Sequence, residues 1–511
     1  MNKEDQYMTA FGFSRVPRRH LLLFAALFGS TVESAEATTL TVGAIDANGV
    51  ACTLADAIVA ADNNISTGGC PAGSEDDTDI IELTGDVILA EALPEVRSYC
   101  SPEPDPCAES VQTRITINGH GHSIARSRDP DTPEFDLLTL FALCGEGIFM
   151  PPPIVMLNDV VLKRGQTGIS LKVATLGIEC PPELELVNSR ITDNSGDGIS
   201  ARFASMRLTN SVIESNGGRG IGGYATDIHL TDSTVAHNAD RGVSALGGLP
   251  FYERRGVLSV TRSTLAGNTG GGVELAGLHA TLVNSTVSGN GNTKTTGGGI
   301  HVIPSDSSDE QPVTELTLIN TTVSDNVAEL GGGVYRDSGE HRIFIDRSTV
   351  INSILADNTG GDCVSAPGTT RTAFSGQNLI EDGGCFDPSY SNPPLIGDPK
   401  LGPLEDNGGP TLTHALRRDS IALNRIAFIH DVNGNPLGCE GTTDGVSAGV
   451  VTDQRGVSRA RPGDDFCDIG AFERAFPSAA GECKNGGYRK FGFDRLEQCL
   501  RYLTQRKTQS H

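Results

Sequence analysis

Apolar and polar residues alternate in short runs through the middle of the chain, as in Glu315-Leu-Thr-Leu-Ile319, and the apolar positions are rich in Val, Ile and Leu. A period of two carried by β-branched residues predicts strands with one buried face. Each run leads into Asn-Ser/Thr-x-Val/Ile-x-x-Asn and then a glycine-rich step. This unit recurs seven times, ending at Asn194, Asn216, Asn238, Asn268, Asn290, Asn326 and Asn358, at spacings of 22, 22, 30, 22, 36 and 32 residues. The opening Asn is replaced in two copies, by Asp232 and Arg262. A short period with occasional insertions marks a solenoid. A second short run follows the glycines, at 297–303 and 331–335. Asn and Gly at the breaks tolerate left-handed backbone angles that β-branched residues resist. A period near 22 is too short for two helices with turns and fits one coil of two or three strands. Stacked coils lie ~4.8 Å apart, so the recurrent asparagines can hydrogen-bond along the stack. A leucine-rich repeat would want a different Leu and Asn spacing. The expected fold is therefore all-β: a right-handed parallel β-helix with capped ends and a small C-terminal disulfide module.

The two ends read differently. Arg15, Arg18 and Arg19 precede the apolar run 21–28, and Ala35-Glu-Ala37 offers a small-x-small cleavage site. That predicts a signal peptide over 1–37 and a secreted or cell-surface protein. No later segment is apolar enough to anchor the mature chain in a membrane. Thr53-Leu-Ala-Asp56 reads as the capped start of a short amphipathic helix that covers the open end of the solenoid. The net charge is −25 and the leader carries four basic and four acidic residues, so processing leaves it unchanged. An acidic chain without a basic stripe argues against nucleic acid as partner.

The twelve cysteines fit an oxidising compartment. None falls between Cys180 and Cys363, the repeat core. Proximity pairs Cys52 with Cys70, Cys363 with Cys385, Cys439 with Cys467 and Cys483 with Cys499, leaving Cys100, Cys107, Cys144 and Cys180 to pair among themselves. No close Cys-x-x-Cys supports zinc.

Family resemblance attaches to both ends. Cys52-Thr-Leu-Ala-Asp-Ala-Ile58, followed by Thr78-Asp-Ile-Ile-Glu-Leu83, resembles the CSLREA segment of bacterial secreted β-helix proteins, departing from that motif at Thr53, Ala55 and Asp56. The stretch 398–416, then Asp453-Gln-Arg-Gly456 and Cys467-Asp-Ile-Gly-Ala-Phe-Glu473, resembles the choice-of-anchor Q domain. The resemblance implies a pectin-lyase-like β-helix exported to or displayed on a bacterial surface, with no agreed activity. The segment 483–499 resembles a small Cys-Lys-Asn-Gly-Gly module, in which Phe493, Leu496, Leu500 and Leu503 have helical spacing. The expected organisation is a leader (1–37), a β-helix with its cap (38–385), a choice-of-anchor Q-like region (386–475), and a linker with the cysteine module (476–511).

Candidate chemistry is sparse. Gly119-His-Gly-His122 lacks the companion motifs of polygalacturonases, and its context reads as strand, turn, strand. Asp325 and Asp357 precede the final Asn of adjacent repeats, so their Cα atoms are expected one coil apart, ~4.8 Å. Two carboxylates at that range could hold Ca²⁺ or act as a hydrolytic pair, or serve only as turn residues. Insertions at 246–255, 304–312 and 336–342 all follow the post-glycine strand and should emerge on one side. Arg254 and Arg255 in the first insertion could meet a uronate carboxylate, serve as a lyase base, or be only solvated loop residues. The absence of Trp and the eight Tyr disfavour a long neutral-glycan groove, and leave Tyr224, Tyr252 and Tyr335 as candidate sugar contacts. The leading expectation is extracellular interaction or structure, with polysaccharide or cell-surface components as partners. The alternative is a lyase or hydrolase acting on an acidic polymer.

Overall fold

The computed structural model describes residues 37–509, apart from scattered single residues and the segments 75–77, 101–109, 146–147, 175–179, 249–254, 305–313, 339–346, 370–371, 387–392, 431–435, 440–449, 460–465 and 475–476. Within it the chain winds as a solenoid of three parallel sheets of 12, 11 and 10 strands. Each coil contributes a five-residue strand to the first sheet, such as Glu315–Ile319, and a three-residue strand to the second, such as Thr322–Ser324. A strand such as Val334–Arg336 then joins the third sheet.

Register is kept coil over coil, because a one-residue slip would turn each inward side chain outward. Ile117, Leu157, Leu186, Leu208, Leu230, Val260, Leu282 and Leu318 therefore stack as one buried column of the first sheet. Ile169, Ile199, Ile221, Val243, Val273, Ile300 and Val334 do the same in the third.

The corners explain the repeat. Its opening residue, from Asn188 to Asn352, has positive φ in all seven copies. Arg262 is the least suited to that conformation. It donates from Nε and Nη2 to Asp232 one coil below, at 2.8 and 2.6 Å, so the two exceptions to Asn compensate one another. The final asparagines form a buried ladder. Each Nδ2 from Asn194 to Asn326 donates to Oδ1 of the next asparagine at 2.9–3.0 Å, ending on Asn358. The same Oδ1 atoms accept the backbone N–H of the asparagine below. A corner that is dry and tight thereby leaves few polar groups unpaired.

The helix Leu54–Asn63 covers the first coils, with Leu54, Ala57, Ile58 and Ala61 in the main core. Thr53 caps it by accepting from Asp56 N at 3.1 Å. The four close cysteine pairs, Cys52–Cys70, Cys363–Cys385, Cys439–Cys467 and Cys483–Cys499, are disulfide-bonded. Cys180 is also in a disulfide, and Cys107 lies outside the described residues.

The region after the last coil is not a separate lobe. It lies across the outer face of the second sheet, where Thr264 donates to Leu412 O and Thr286 to Gln454 Oε1, at 2.7 and 2.6 Å. Ala471 N donates to Thr322 Oγ1 at 3.1 Å. Its interior holds charge: Asp453 pairs with Arg455 at 2.7 Å and Glu473 with Arg459 at 3.1 Å, all four nearly inaccessible to solvent. The Arg455 guanidinium also stacks 3.6 Å from the Phe472 ring centroid. Asp453-Gln-Arg-Gly456 is thus an internal cross-brace. In the final module Phe493 is buried with Leu500 and Leu503 against it. Leu496, expected on the same face, is 38% exposed at the helix start.

Candidate functional site

The sequence-predicted candidates land in separate places. Asp325 and Asp357 follow the stacked second-sheet strands Thr322–Ser324 and Ile354–Ala356 and both have positive φ, as turn residues do. Asp357 is pushed up to about 6, first by burial and then by Glu381, Asp325, Asp398 and Asp362. Asp325 is 55% exposed, and its carboxylate lies 3.8 Å from Nε2 of the buried His414. His414 in turn contacts Ser288 Oγ and Gly402 O, both at 2.8 Å, so it belongs to the brace. Among the described residues no three His, Cys, Asp or Glu side chains are arranged to hold a metal. His120 sits in a turn at φ 51°, 2.5 Å from Glu82, between the strands Arg114–Asn118 and Ser123–Arg126. Arg254 lies outside the described residues, and Arg255 is half-buried beside it. The strands flanking the three insertions put all of them in the connection from the third sheet to the first.

What the fold does bring together is on the outer face of the third sheet. Ser170, Ser200, Gly222, Ser244, Glu274, His301 and Tyr335 are successive members of one outward row. Lys172, Arg202, Arg219 and Arg241 stand beside that row. A shallow cavity of 450 Å³ opens there, lined in part by Lys172, Arg202, Arg219 and Tyr224. Arg219 lies flat because Gly222 has no side chain, as a Cβ there would sit 2.6 Å from the guanidinium carbon. Three of the four cations are matched: Lys172 with Asp136 at 3.0 Å, Arg219 with Asp197 at 2.7 Å and Arg241 with Glu274 at 2.7 Å. Arg202 instead stacks on Tyr224 and Phe203, 5.1 and 5.6 Å from the ring centroids.

At the upper end of the row the groups interlock. Ser244 Oγ donates to Glu274 Oε1 at 3.0 Å, and Arg241 Nη2 lies 3.3 Å from His301 Nδ1. A guanidinium only donates, so Nδ1 accepts and the imidazole proton is on Nε2. That Nε2 is 3.9 Å from Asp337 and has no hydrogen-bond partner, nor has Arg241 Nη1. The His301 ring lies 5.5 Å from that of Tyr335. Burial pushes His301 down to about 4, aided by Arg241 and opposed by Glu274 and Asp337. Burial, then Asp337, pushes the Tyr335 phenol up. Near neutral pH the pair is thus an uncharged imidazole and an uncharged phenol.

His301 has a consequence for stability. An unfolded histidine takes up its proton near 6.5, whereas the folded one resists until about 4. The protein is therefore expected to lose stability as pH falls through that window, by up to roughly 3 kcal/mol from this residue. Asp62 and Asp357, both raised to about 6 in the folded state, act in the opposite sense. The contribution of His301 is isolated by comparing urea midpoints of the wild type and His301→Gln across pH 4–7. The variant should show the smaller fall, and an unchanged slope would sink the assignment.

Tyr224 and Tyr335 are candidate contacts from the sequence, with Tyr252 outside the described residues. The row as a set is not legible there, because its members are 30, 27 and 34 residues apart from Ser244 to Tyr335. A signal was present: Glu274, His301 and Tyr335 each stand two residues after a Gly-Gly-Gly triplet.

Comparison with known proteins adds the architecture. No curated protein matches the sequence. Among solved structures, pectate lyase Pel9A aligns at 13% identity and a TM-score of 0.44, over 78% of this chain and 88% of that one. XylC in complex with xylose aligns at 12% and 0.41, over 71% and 65%. The A-module of the Azotobacter vinelandii mannuronan C-5 epimerase AlgE6 aligns at 11% and 0.33, over 59% and 85%. The family model described as right handed beta helix region matches residues 155–311. With the three parallel sheets, that match makes the architecture a right-handed parallel β-helix.

Proposed function

We propose that the protein is exported and binds an acidic polysaccharide along the outer face of its third sheet. One observation carries this reading. In a chain of net charge −25, the 450 Å³ cavity is lined by Lys172, Arg202 and Arg219, and Arg202 is held by aromatic rings with no ion pair among the described residues. A guanidinium so placed can take a carboxylate through two parallel hydrogen bonds. Tyr224 supplies an apolar surface for a sugar ring beside it. The disulfides favour an oxidising, extracytoplasmic setting.

Calorimetric titration with short oligouronates and with neutral oligosaccharides of equal length tests the proposal. Only the acidic series should bind, and Arg202→Ala should weaken it at least about tenfold, or ~1.4 kcal/mol. Equal binding of neutral sugars, or none of either, removes this function.

A second reading has its own observation. Glu274, His301 and Tyr335 put proton-transfer groups in one row beside Arg241, with the Asp337 carboxylate 3.9 Å from His301 Nε2. Arg241 could neutralise a uronate carboxylate, with Asp337 placed to take the adjacent carbon-bound proton and Tyr335 to protonate the leaving oxygen. Incubation with alginate and polygalacturonate should then yield unsaturated uronate ends in the wild type. Tyr335→Phe should lower that rate about a hundredfold or more. New reducing ends without unsaturation would mean hydrolysis, and no product would leave binding alone.

A further inference from the structure

We propose that the C-terminal disulfide module is a tether for acidic polysaccharide, a second point of attachment on a face distinct from the third-sheet groove. The choice of polymer rests on the groove reading above. The charge of the module does not.

Residues 476–511 carry seven Lys and Arg against three Asp and Glu, the reverse of the balance in the whole chain. The positive charge is displayed on a folded unit. The Cys483–Cys499 disulfide and buried Phe493 form a small core with Tyr488, Phe491, Leu500, Tyr502 and Leu503. The unit is fixed to the brace. Arg474 Nε donates to Phe491 O at 3.1 Å, and the Arg418 guanidinium lies 5.5 Å from the Phe493 ring centroid and 5.7 Å from that of Tyr502. Lys484, Arg489, Arg495 and Arg501 are exposed on the module, and Arg417 and Arg418 are exposed beside it. None of these six forms an ion pair with a described residue. The adjacent carboxylate, Asp419, is taken by Lys400. In the groove, by contrast, three of four cations are already matched.

A cavity of 250 Å³ separates the module from the brace, lined by Arg417, Arg489 and Phe493 but also by Glu405 and Asp494. With both signs on its walls it is no pocket for a small anion. The unpaired cations are spread over open surface, which suits a polymer making several weak contacts. A membrane surface fits less well. Leu500, Tyr502 and Leu503 of the helix Leu496–Gln509 pack against the module core, so among its described residues Leu496 alone is an exposed large apolar side chain, too little for a stripe to insert. Two weak sites on one polymer reinforce each other through effective concentration.

The test uses the full-length protein, comparing a triple variant, Arg489→Gln, Arg495→Gln and Arg501→Gln, with its Arg→Lys counterpart. All three residues are exposed and outside the small core. Affinity for long alginate chains should fall about tenfold or more in the Gln variant, with a shallower salt dependence. The Lys variant should recover most of the loss. Oligouronates too short to reach both sites should bind both variants as they bind the wild type. Unchanged alginate affinity in the folded Gln variant overturns the tether. So does lost binding to vesicles of anionic phospholipid with alginate affinity intact, since that outcome makes the module a membrane contact. Failure of the groove reading shows separately, as absent oligouronate binding in the wild type.

Discussion

Asp453→Ala is expected to cost roughly 3–5 kcal/mol, the largest effect of any single substitution considered for this protein. Asp453 is fully buried and accepts from the backbone N–H of Arg455, Val457 and Glu473, each at 2.9 Å, besides its ion pair. Its loss takes the counter-ion from the Arg455 guanidinium, which lies against the Phe472 ring, 3.6 Å from the centroid, and also donates to Asn407 O and Glu473 O. A buried cation that loses its ion-paired carboxylate keeps its desolvation penalty while losing its main compensation. The brace should loosen from the second sheet before the coils melt, because coils of a solenoid depend mainly on their neighbours. Limited proteolysis and thermal unfolding check this. The expected result is early cleavage between 393 and 474 and a lower first transition. Asp325→Asn, an exposed turn substitution, should change stability by no more than about 0.5 kcal/mol. Comparable unfolding of Asp453→Ala and the wild type would show that the brace does not depend on this pair.

Asn268→Ala should cost about 3 kcal/mol, because it breaks the ladder at its centre. Asn268 donates to Asn290 Oδ1 and Val235 O at 2.9 and 3.0 Å. It also accepts from the side chain and backbone N–H of Asn238, at 2.9 and 3.1 Å. Removing it leaves several buried groups without partners in a corner that excludes water. Asn268→Asp should also destabilise, since a carboxylate replaces two donated bonds with buried charge. Urea unfolding followed by circular dichroism measures both. A loss under about 1 kcal/mol in the Ala variant would mean that water enters the corner and satisfies those groups.

These two sites differ in how far the sequence disclosed them. The ladder was legible because one requirement repeats in every coil. A left-handed corner, a dry asparagine and an inward Val, Ile or Leu recur at matched offsets from Asn188 to Asn358. The cap was legible for a local reason, as Thr53 and Asp56 interact within one helical turn. Asp453 was legible only as part of a recognisable string. Its role as a buried brace depends on the backbone N–H of Glu473 and on its partner Arg455 reaching Asn407 O, both distant in the chain.

Periodicity by itself determined the solenoid and the stacking of its repeated corner residues, since these recur at matched offsets, while proximity suggested four cysteine pairs that the structure then joins. Tertiary structure decided the rest. Insertions of unequal length disguise the row from Ser244 to Tyr335, and strand pairing is what sets its members side by side on one face. Burial, unreadable from spacing, then makes His301 an uncharged donor rather than an ordinary surface histidine. Nor could the sequence disclose that Asp325 belongs beside His414, 89 residues away and brought there by the brace folding back over the second sheet. Short-range repetition fixes a fold, while a site on its surface is made from residues whose separations follow no rule.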